Sequence, residues 1–337
     1  MTDARFPPMD LTGKCVLVTG GTGSFGKRFV RRLVEEDQAT RIVVYSRCEQ
    51  RQYQMANTPE FRDCAKLRFM IGDIRDLHRL EMATRGVDII IHASAIKHVP
   101  IAEYNPMECV KTNIDGAQNV VDVAIRNGIE KVVALSTDKA CSPVNLYGAT
   151  KLASDKIMVA ANNLSGTART RFSVVRYGNV ANSNGSVLPL FQKLIADGSD
   201  HLPITDDRMT RFWITLDQGV DFVMTCLQAM RGGEIFIPKI PSMRIVDLAK
   251  AMAPELPHKI IGIRPGEKLH EAMITVDDAR MVYDMGDRYA IEPPFTWWDR
   301  ESYSSLGYET VQPDFSYTSD KNDQWLTNEE LLKMVRG

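Results

Sequence analysis

An α/β fold built on a doubly wound parallel sheet is what this sequence predicts, and three observations predict it. Short apolar runs rich in β-branched residues recur through the first half, most of them followed by a helical pattern. The first run closes on a glycine-rich turn that opens a helix. Beyond Val180 the rhythm changes to shorter, mixed elements, so a smaller lobe is expected over the C-terminal ends of the strands. Strands alternating with helices at these lengths specify right-handed crossovers.

Composition sets the outer bounds. The 337 residues are 44% hydrophobic and 25% charged with a net charge of −2, enough for a full core and a second lobe. That balance gives no argument for a nucleic-acid or membrane partner. No apolar run approaches the ~20 residues of a membrane span, and the opening residues lack the apolar segment of a signal peptide. The cysteines (Cys15, Cys48, Cys64, Cys109, Cys141 and Cys226) are scattered and form no CxxC pair, the pattern of reduced thiols in a cytoplasmic protein. The histidines are equally dispersed, so no metal site is expected.

Taken in order, residues 1–11 are a polar lead-in. Cys15–Thr19 reads as a strand, then Gly20, Gly23 and Gly26 punctuate a turn, and a helix runs from Lys27 to Glu35 with Phe29, Val30 and Leu33 on its apolar face. Strand, glycine turn and helix together bring backbone N–H groups to a pyrophosphate. The spacing is GxxGxxG rather than GxGxxG; a plain glycine turn is the alternative. Arg41–Ser46 is the second strand. Its end carries Ser46 and Arg47, with Arg51 a helical turn on, where an NAD site would place a carboxylate. Guanidinium groups and a hydroxyl suit a 2′-phosphate, so the cofactor reads as NADP, unless these are plain surface arginines.

Leu67–Ile71 is the third strand, and it ends at Asp73 and Ile74, where adenine would lie. Val87–His92 is the fourth. The small residues Ala93 and Ala95 after it let the nicotinamide half pass close to the backbone. Met107–Asn127 is a long helical pattern containing Asn113, Lys131–Ser136 a buried strand, and Phe172–Val175 another. In the second half residues 183–185 read as a loop, Val187–Ala196 as a helix, Leu216–Met230 as an amphipathic helix returning to the main sheet, Ile235–Ile237 as a strand, Arg244–Met252 as a helix and Lys259–Ile263 as a strand. The expected division is 1–182 for nucleotide binding, with 211–231 returning to it, 183–292 mainly for the smaller lobe, and a tail from 293. That tail holds Trp297 and Trp298 and ends in a helix capped by Thr327.

The stretch Thr137–Lys151 is where chemistry is expected. Pro143 stops the preceding strand and Asn145 can cap a helix in which Tyr147 and Lys151, four apart, share a face. A free tyrosine titrates near pH ~10, and a neighbouring cation favours its phenolate. A tyrosine and a lysine that only pack at a helix start would show the same spacing.

The glycine motif, the YxxxK pair and the turn Arg264-Pro265-Gly266-Glu267-Lys268 together resemble the extended short-chain dehydrogenase/reductases that act on nucleotide sugars. The resemblance runs from about Thr12 to about Tyr283. Lys97–Pro106 and Ser136–Lys151 are most similar to the branch of soluble 4,6-dehydratases that invert C5 of UDP-N-acetylglucosamine at the start of pseudaminic acid synthesis. It implies a Rossmann sheet, an NADP cofactor, a UDP-N-acetylhexosamine substrate and a homo-oligomer. The implied cofactor contacts are Gly20, Gly23, Ser24, Phe25, Gly26, Lys27, Ser46, Arg47, Arg51, Asp73, Ile74, Ala93, Ala95, Tyr147, Lys151 and Val180. For the chemistry it implies Thr137, Tyr147 and Lys151, with Asp138 as general acid and Lys139 as C5 base. Lys97, Asn179, Arg264 and Glu267 would face the nucleotide sugar; Arg264 and Glu267 could instead simply pair with each other.

Eliminating water needs one group to take the C5 proton and another to protonate the leaving hydroxyl. For Lys139 to act as that base, burial or a nearby cation should lower its pKa. Related 4-epimerases usually carry small hydroxyl residues where Thr137-Asp138-Lys139 stand, and deoxythymidine-diphosphoglucose dehydratases carry Asp-Glu. Membrane-anchored, C5-retaining relatives have Met in place of Tyr147. Cys48 departs from the Asp that relatives often show. A C5-retaining 4,6-dehydratase, a 4-epimerase and a non-catalytic NADP-binding protein stand as the rival readings.

Overall fold

The computed structural model describes residues 6–166, 170–181, 186–294 and 302–336. Strands β1 (Cys15–Thr19), β2 (Arg41–Ser46), β3 (Leu67–Ile71), β4 (Ile89–His92), β5 (Lys131–Thr137) and β6 (Arg171–Tyr177) are mutually parallel. They lie side by side in the order 3-2-1-4-5-6. The connections reverse direction between β1 and β4, and ligands bind such sheets at that switch point. Every residue of β1 and β4 is buried, as expected for parallel strands covered on both faces.

The sheet continues beyond β6 with Ile235–Pro238, parallel to it, and then with Arg288–Ile291, Val282–Asp284 and Glu309–Thr310, all antiparallel to their neighbours. Parts of 183–292 and of the tail thus complete the main sheet. Helix Leu216–Ala229, opened by a capping box between Thr215 and Gln218, lies against helix Ser24–Glu36. Ion pairs Arg28–Asp217 and Arg32–Asp221 join the two. A second apolar cluster, with Leu188, Phe191, Trp213, Met243, Leu248 and Leu331, forms the core of the smaller lobe. Its strands are Asn179–Val180, Thr210–Ile214 and Ser242–Arg244 in one sheet, and Leu202–Ile204 with His258–Ile260 in another. This last strand stops short of the expected Ile263. The last helix, Asn328–Arg336, follows Thr327, whose hydroxyl exchanges hydrogen bonds with Glu330. Residues 183–185, Trp297 and Trp298 lie outside the described residues.

The pattern over 107–127 is not one helix. Pro106–Val110 runs into a π turn at Lys111–Asp115, and the α-helix resumes over Gly116–Arg126. Such a bulge inserts one residue into a turn and re-aims what it carries. Here it carries Asn113, whose amide bonds the backbone of Ile96 and the hydroxyl of Thr150.

Candidate active site

Strand β5 ends at Thr137, and a short 3₁₀ turn over Asp138–Ala140 leads towards helix Leu146–Leu164. Asn145 starts that helix with two contacts. Its Oδ1 accepts from the Gly148 N–H at 2.7 Å, and its Nδ2 donates to the Gly266 carbonyl at 2.7 Å. Lys268 Nζ reaches the Cys141 carbonyl at 2.5 Å. The Arg264–Lys268 turn is therefore fastened onto the loop that precedes the helix. Tyr147 and Lys151 are both buried in the helix's first turns.

Asp138 is 1% exposed and accepts from Thr137 Oγ1 at 2.9 Å and Lys139 Nζ at 3.0 Å. Burial pushes its carboxyl up, against the pull of Lys139, and its Oδ2 has no hydrogen-bond partner among the described residues. Lys139 Nζ also lies 3.2 Å from Glu271 Oε1 and 3.5 Å from Asn179 Oδ1. Burial works against the Lys139 charge, but the Asp138 and Glu271 carboxylates outweigh it and hold the ammonium above the usual lysine range. The expected lowering of Lys139 is thus reversed, because two carboxylates face it.

A second expectation is corrected at Tyr147. Burial pushes its phenol up to about 12, while the Lys139 ammonium and a hydrogen bond with Thr137 act in the opposite direction. The cation that acts on this phenol is Lys139, not Lys151. Lys151 is itself pushed down by burial, opposed by Asp155, which is bonded to Ser136 at 2.8 Å and to Arg176 at 3.3 Å.

Two further charged residues, Glu271 and Arg211, join this cluster without having been marked by any motif in the sequence. Glu271 is 2% exposed; its Oε1 lies 3.9 Å from Arg211 Nε and its Oε2 3.7 Å from Lys268 Nζ. The available signal was a carboxylate just ahead of an apolar strand, Ala272–Ile274, three residues past Lys268.

At the switch point, helix Ser24–Glu36 begins directly after Gly23, earlier than the expected Lys27. It has no side-chain cap and no acidic residue in its first turn. The N–H groups at Ser24, Phe25 and Gly26 thus form an anion-binding end. A Cβ on Gly26 would lie 2.5 Å from the Gly20 carbonyl oxygen, and one on Gly20 (φ 65°) would lie 3.0 Å from the backbone of Ala93 and Ser94. This cradle of bare backbone between β1 and β4 fits a dinucleotide pyrophosphate. Thr19 Oγ1 meets the N–H groups of Ala93 and Ser94 and, at 2.9 Å, the buried His92 Nδ1. Burial, with Lys151 nearby, lowers His92 to about 3 and keeps it neutral.

At the end of β2, Ser46 Oγ accepts from Gln52 Nε2 at 3.0 Å. Arg47 is exposed, with Asp73 Oδ2 at 3.9 Å, and Arg51 is exposed one turn on. Asp73 is paired more closely with Arg75, at 2.7 Å. Ile74 buries its side chain against Gly116, and its carbonyl accepts from Asn119.

Of the residues expected to face the nucleotide sugar, Lys97 is pushed down by partial burial and by the charge of Lys139. Asn179, at the edge of the strand it shares with Val180, reaches Lys139. Arg264 is exposed and 3.9 Å from Glu267. The structure therefore gathers Thr137, Asp138, Lys139, Tyr147, Lys97 and Asn179, with the Arg264–Lys268 turn docked beside them.

A glycine cradle at the sheet's switch point, with a tyrosine and a lysine one helical turn apart beside it, defines an enzyme of the short-chain dehydrogenase/reductase type. Residues 16–293 match the family model described as polysaccharide biosynthesis protein, and the chain belongs to that family. It is 57% identical, over 96% of its length and 97% of the relative's, to a UDP-N-acetylglucosamine 4,6-dehydratase (inverting) of Campylobacter jejuni. Among solved structures, Pen from Bacillus thuringiensis superposes with a TM-score of 0.88 at 36% identity, covering 97% of this chain and 98% of that one. The dTDP-glucose 4,6-dehydratase DesIV from Streptomyces venezuelae, solved with NAD and TYD bound, gives a TM-score of 0.68 at 26% identity over 75% of this chain and 86% of its own. Among the described residues no helix is long and apolar enough to cross a membrane, and no cluster of side chains could hold a metal ion.

Proposed function

We propose that this chain is an NADP-dependent hydro-lyase that removes water across C5–C6 of UDP-N-acetylglucosamine with inversion at C5. Its product is a UDP-2-acetamido-2,6-dideoxy-L-arabino-hexos-4-ulose, which places it at the entry to pseudaminic acid synthesis. The observation that carries the reading is the Asp138–Lys139 pair, 3.0 Å apart and set beside Tyr147. A 4-epimerase needs the tyrosine but has no use for a buried acid–base pair next to it. The 57% identical inverting dehydratase supports the same choice.

Held in the backbone cradle of Gly20, Gly23 and Gly26, a nicotinamide would supply a hydride acceptor for C4 and the same hydride for C6. Tyr147 takes the O4 proton, with the Lys139 ammonium and Thr137 favouring its ionised form. The resulting 4-keto group acidifies the C5 hydrogen. Asp138 and Lys139 hold one proton between them, and its passage from Nζ to the carboxylate creates a neutral amine and a neutral acid together. The amine then takes the C5 proton while the Asp138 carboxyl gives its own to the departing O6, which restores the ion pair. Proton return to C5 from the opposite face gives the L-sugar. Arg264 on its docked turn suits the diphosphate, and Arg47 and Arg51 suit the 2′-phosphate.

Incubation with UDP-N-acetylglucosamine in D₂O, followed by NMR, tests this. The expected product is a 4-keto-6-deoxy sugar with deuterium at an inverted C5 and no net NADPH. A C4 epimer that retains its C6 hydroxyl would replace this reading with the epimerase, and retention at C5 would assign the other dehydratase branch.

A further inference from the structure

We propose that Glu271 is a positioning residue for the elimination: it anchors the Lys139 ammonium beside Asp138 and adds the second negative charge that this pair faces. The role rests on the dehydratase reading. Glu271 is held from both sides of its backbone, its N–H donating to Ser319 Oγ at 2.9 Å and its carbonyl accepting from the Ser319 N–H at 2.8 Å. Its side chain crosses from the C-terminal half of the chain to the catalytic turn. There Oε1 lies 3.2 Å from Lys139, and Arg211 and Lys268 stand at 3.9 and 3.7 Å. A carboxylate this deeply buried persists only where cations face it.

The groups around Lys139 come from every neighbouring element. Asp138 lies on its own turn, Glu271 and Arg211 come from the C-terminal half, Lys97 from the segment after β4, Tyr147 from the following helix and Asn179 from the adjoining strand. Glu271 is the second anion of this set, and without it Lys139 would face Asp138 among an excess of cations. A negative charge facing the pair raises its affinity for both of its protons, so its loss lowers both macroscopic pKa values of the pair. The reactive form carries one shared proton. The rate of water loss therefore has an acid limb and a basic limb, each belonging to the pair.

The test is the pH profile of kcat for water loss from UDP-N-acetylglucosamine in wild type, Glu271→Gln and Lys268→Met. In Glu271→Gln both limbs should move down by about 1–3 pH units, the range over which one neighbouring charge acts. In Lys268→Met, which deletes a cation from the cluster, both should move up. A side chain that merely supports the fold would lower kcat and leave the limbs in place. A folded, NADP-binding Glu271→Gln with wild-type limbs overturns the role. If Glu271→Gln does not fold, Lys268→Met decides alone, and limbs that stay or fall overturn it. Unmoved limbs in a working dehydratase sink this proposal only, whereas a wild-type protein that releases no water sinks the proposed function and this role with it.

Discussion

Asn113 holds Ile96 by both of its backbone polar groups. Its Oδ1 accepts the Ile96 N–H at 2.8 Å, and its Nδ2 donates to the Ile96 carbonyl at 3.0 Å. The residue after Ile96 is Lys97, so this clamp sets where Lys97 stands. Replacing Asn113 by Ala leaves a buried donor and acceptor without partners. We expect a loss of about 2–4 kcal/mol in urea unfolding, with KM for the nucleotide sugar rising as Lys97 loses its seat. Unchanged KM would mean that the clamp serves stability alone.

Gly26→Ala should all but abolish cofactor binding. The added Cβ would meet the Gly20 carbonyl oxygen at 2.5 Å, and the backbone there has no flexible end that could move aside. Fluorescence titration with NADPH reads this directly. An affinity within threefold of wild type would show that the cradle is not the pyrophosphate site.

Cofactor choice should turn on the end of β2. Arg47 is exposed and loosely paired, free to turn towards a 2′-phosphate, whereas Ser46 already accepts from Gln52. Arg47→Glu should weaken NADP relative to NAD by tenfold or more, since a charge-assisted contact becomes a repulsion. Equal wild-type affinity for the two cofactors would refute the 2′-phosphate assignment.

Lys139→Ala should spare NADP binding and slow water loss by ~10²–10⁴-fold, the usual worth of a general base. Asp138→Asn should slow departure of the C6 hydroxyl similarly. Tyr147→Phe should block the earlier C4 oxidation, so that no transient NADPH absorbance appears in single turnover. Full dehydratase activity in Lys139→Ala would place the base elsewhere.

His92 makes a prediction about pH and folding. Buried and lowered to about 3, it stays neutral in the folded protein down to that pH, while an unfolded histidine binds a proton near pH ~6.5. Between those two values the unfolded state holds more protons, so stability falls as pH falls. His92 should contribute about 1.4 kcal/mol per pH unit across that window. Urea unfolding at pH 7, 6 and 5 should show a shallower slope in His92→Gln than in wild type; identical slopes would contradict the buried neutral ring.

Strands β1, β2, β4, β5 and β6 were legible because each carries a β-branched apolar run, β3 because its mostly apolar residues end at a polar turn, and the Asn145 cap because Pro143 leaves the chain one place to start a helix. The π turn was not legible. Apolar spacing runs unbroken from Met107 to Asn127, and the extra residue shows only once Asn113 has found Ile96. The state of Lys139 was hidden for a different reason. Its local sequence shows one carboxylate, Asp138, whereas the second, Glu271, arrives from the far end of the chain.

Two contacts fasten the Arg264–Lys268 turn to the loop ahead of helix Leu146–Leu164: Asn145 to the Gly266 carbonyl, and Lys268 to the Cys141 carbonyl. For protein engineering, this means that the two halves of the molecule are not interchangeable cassettes. A chimera that grafts a foreign C-terminal half onto this nucleotide-binding half, in order to recruit a different sugar, inherits a turn that must recognise Asn145 and present an amine to the Cys141 carbonyl. Donors lacking those partners should yield hybrids that still bind a nicotinamide dinucleotide but leave the loop at residues 138–145 unanchored. Recombination is therefore best planned with residues 141–145 and 264–271 exchanged as one block.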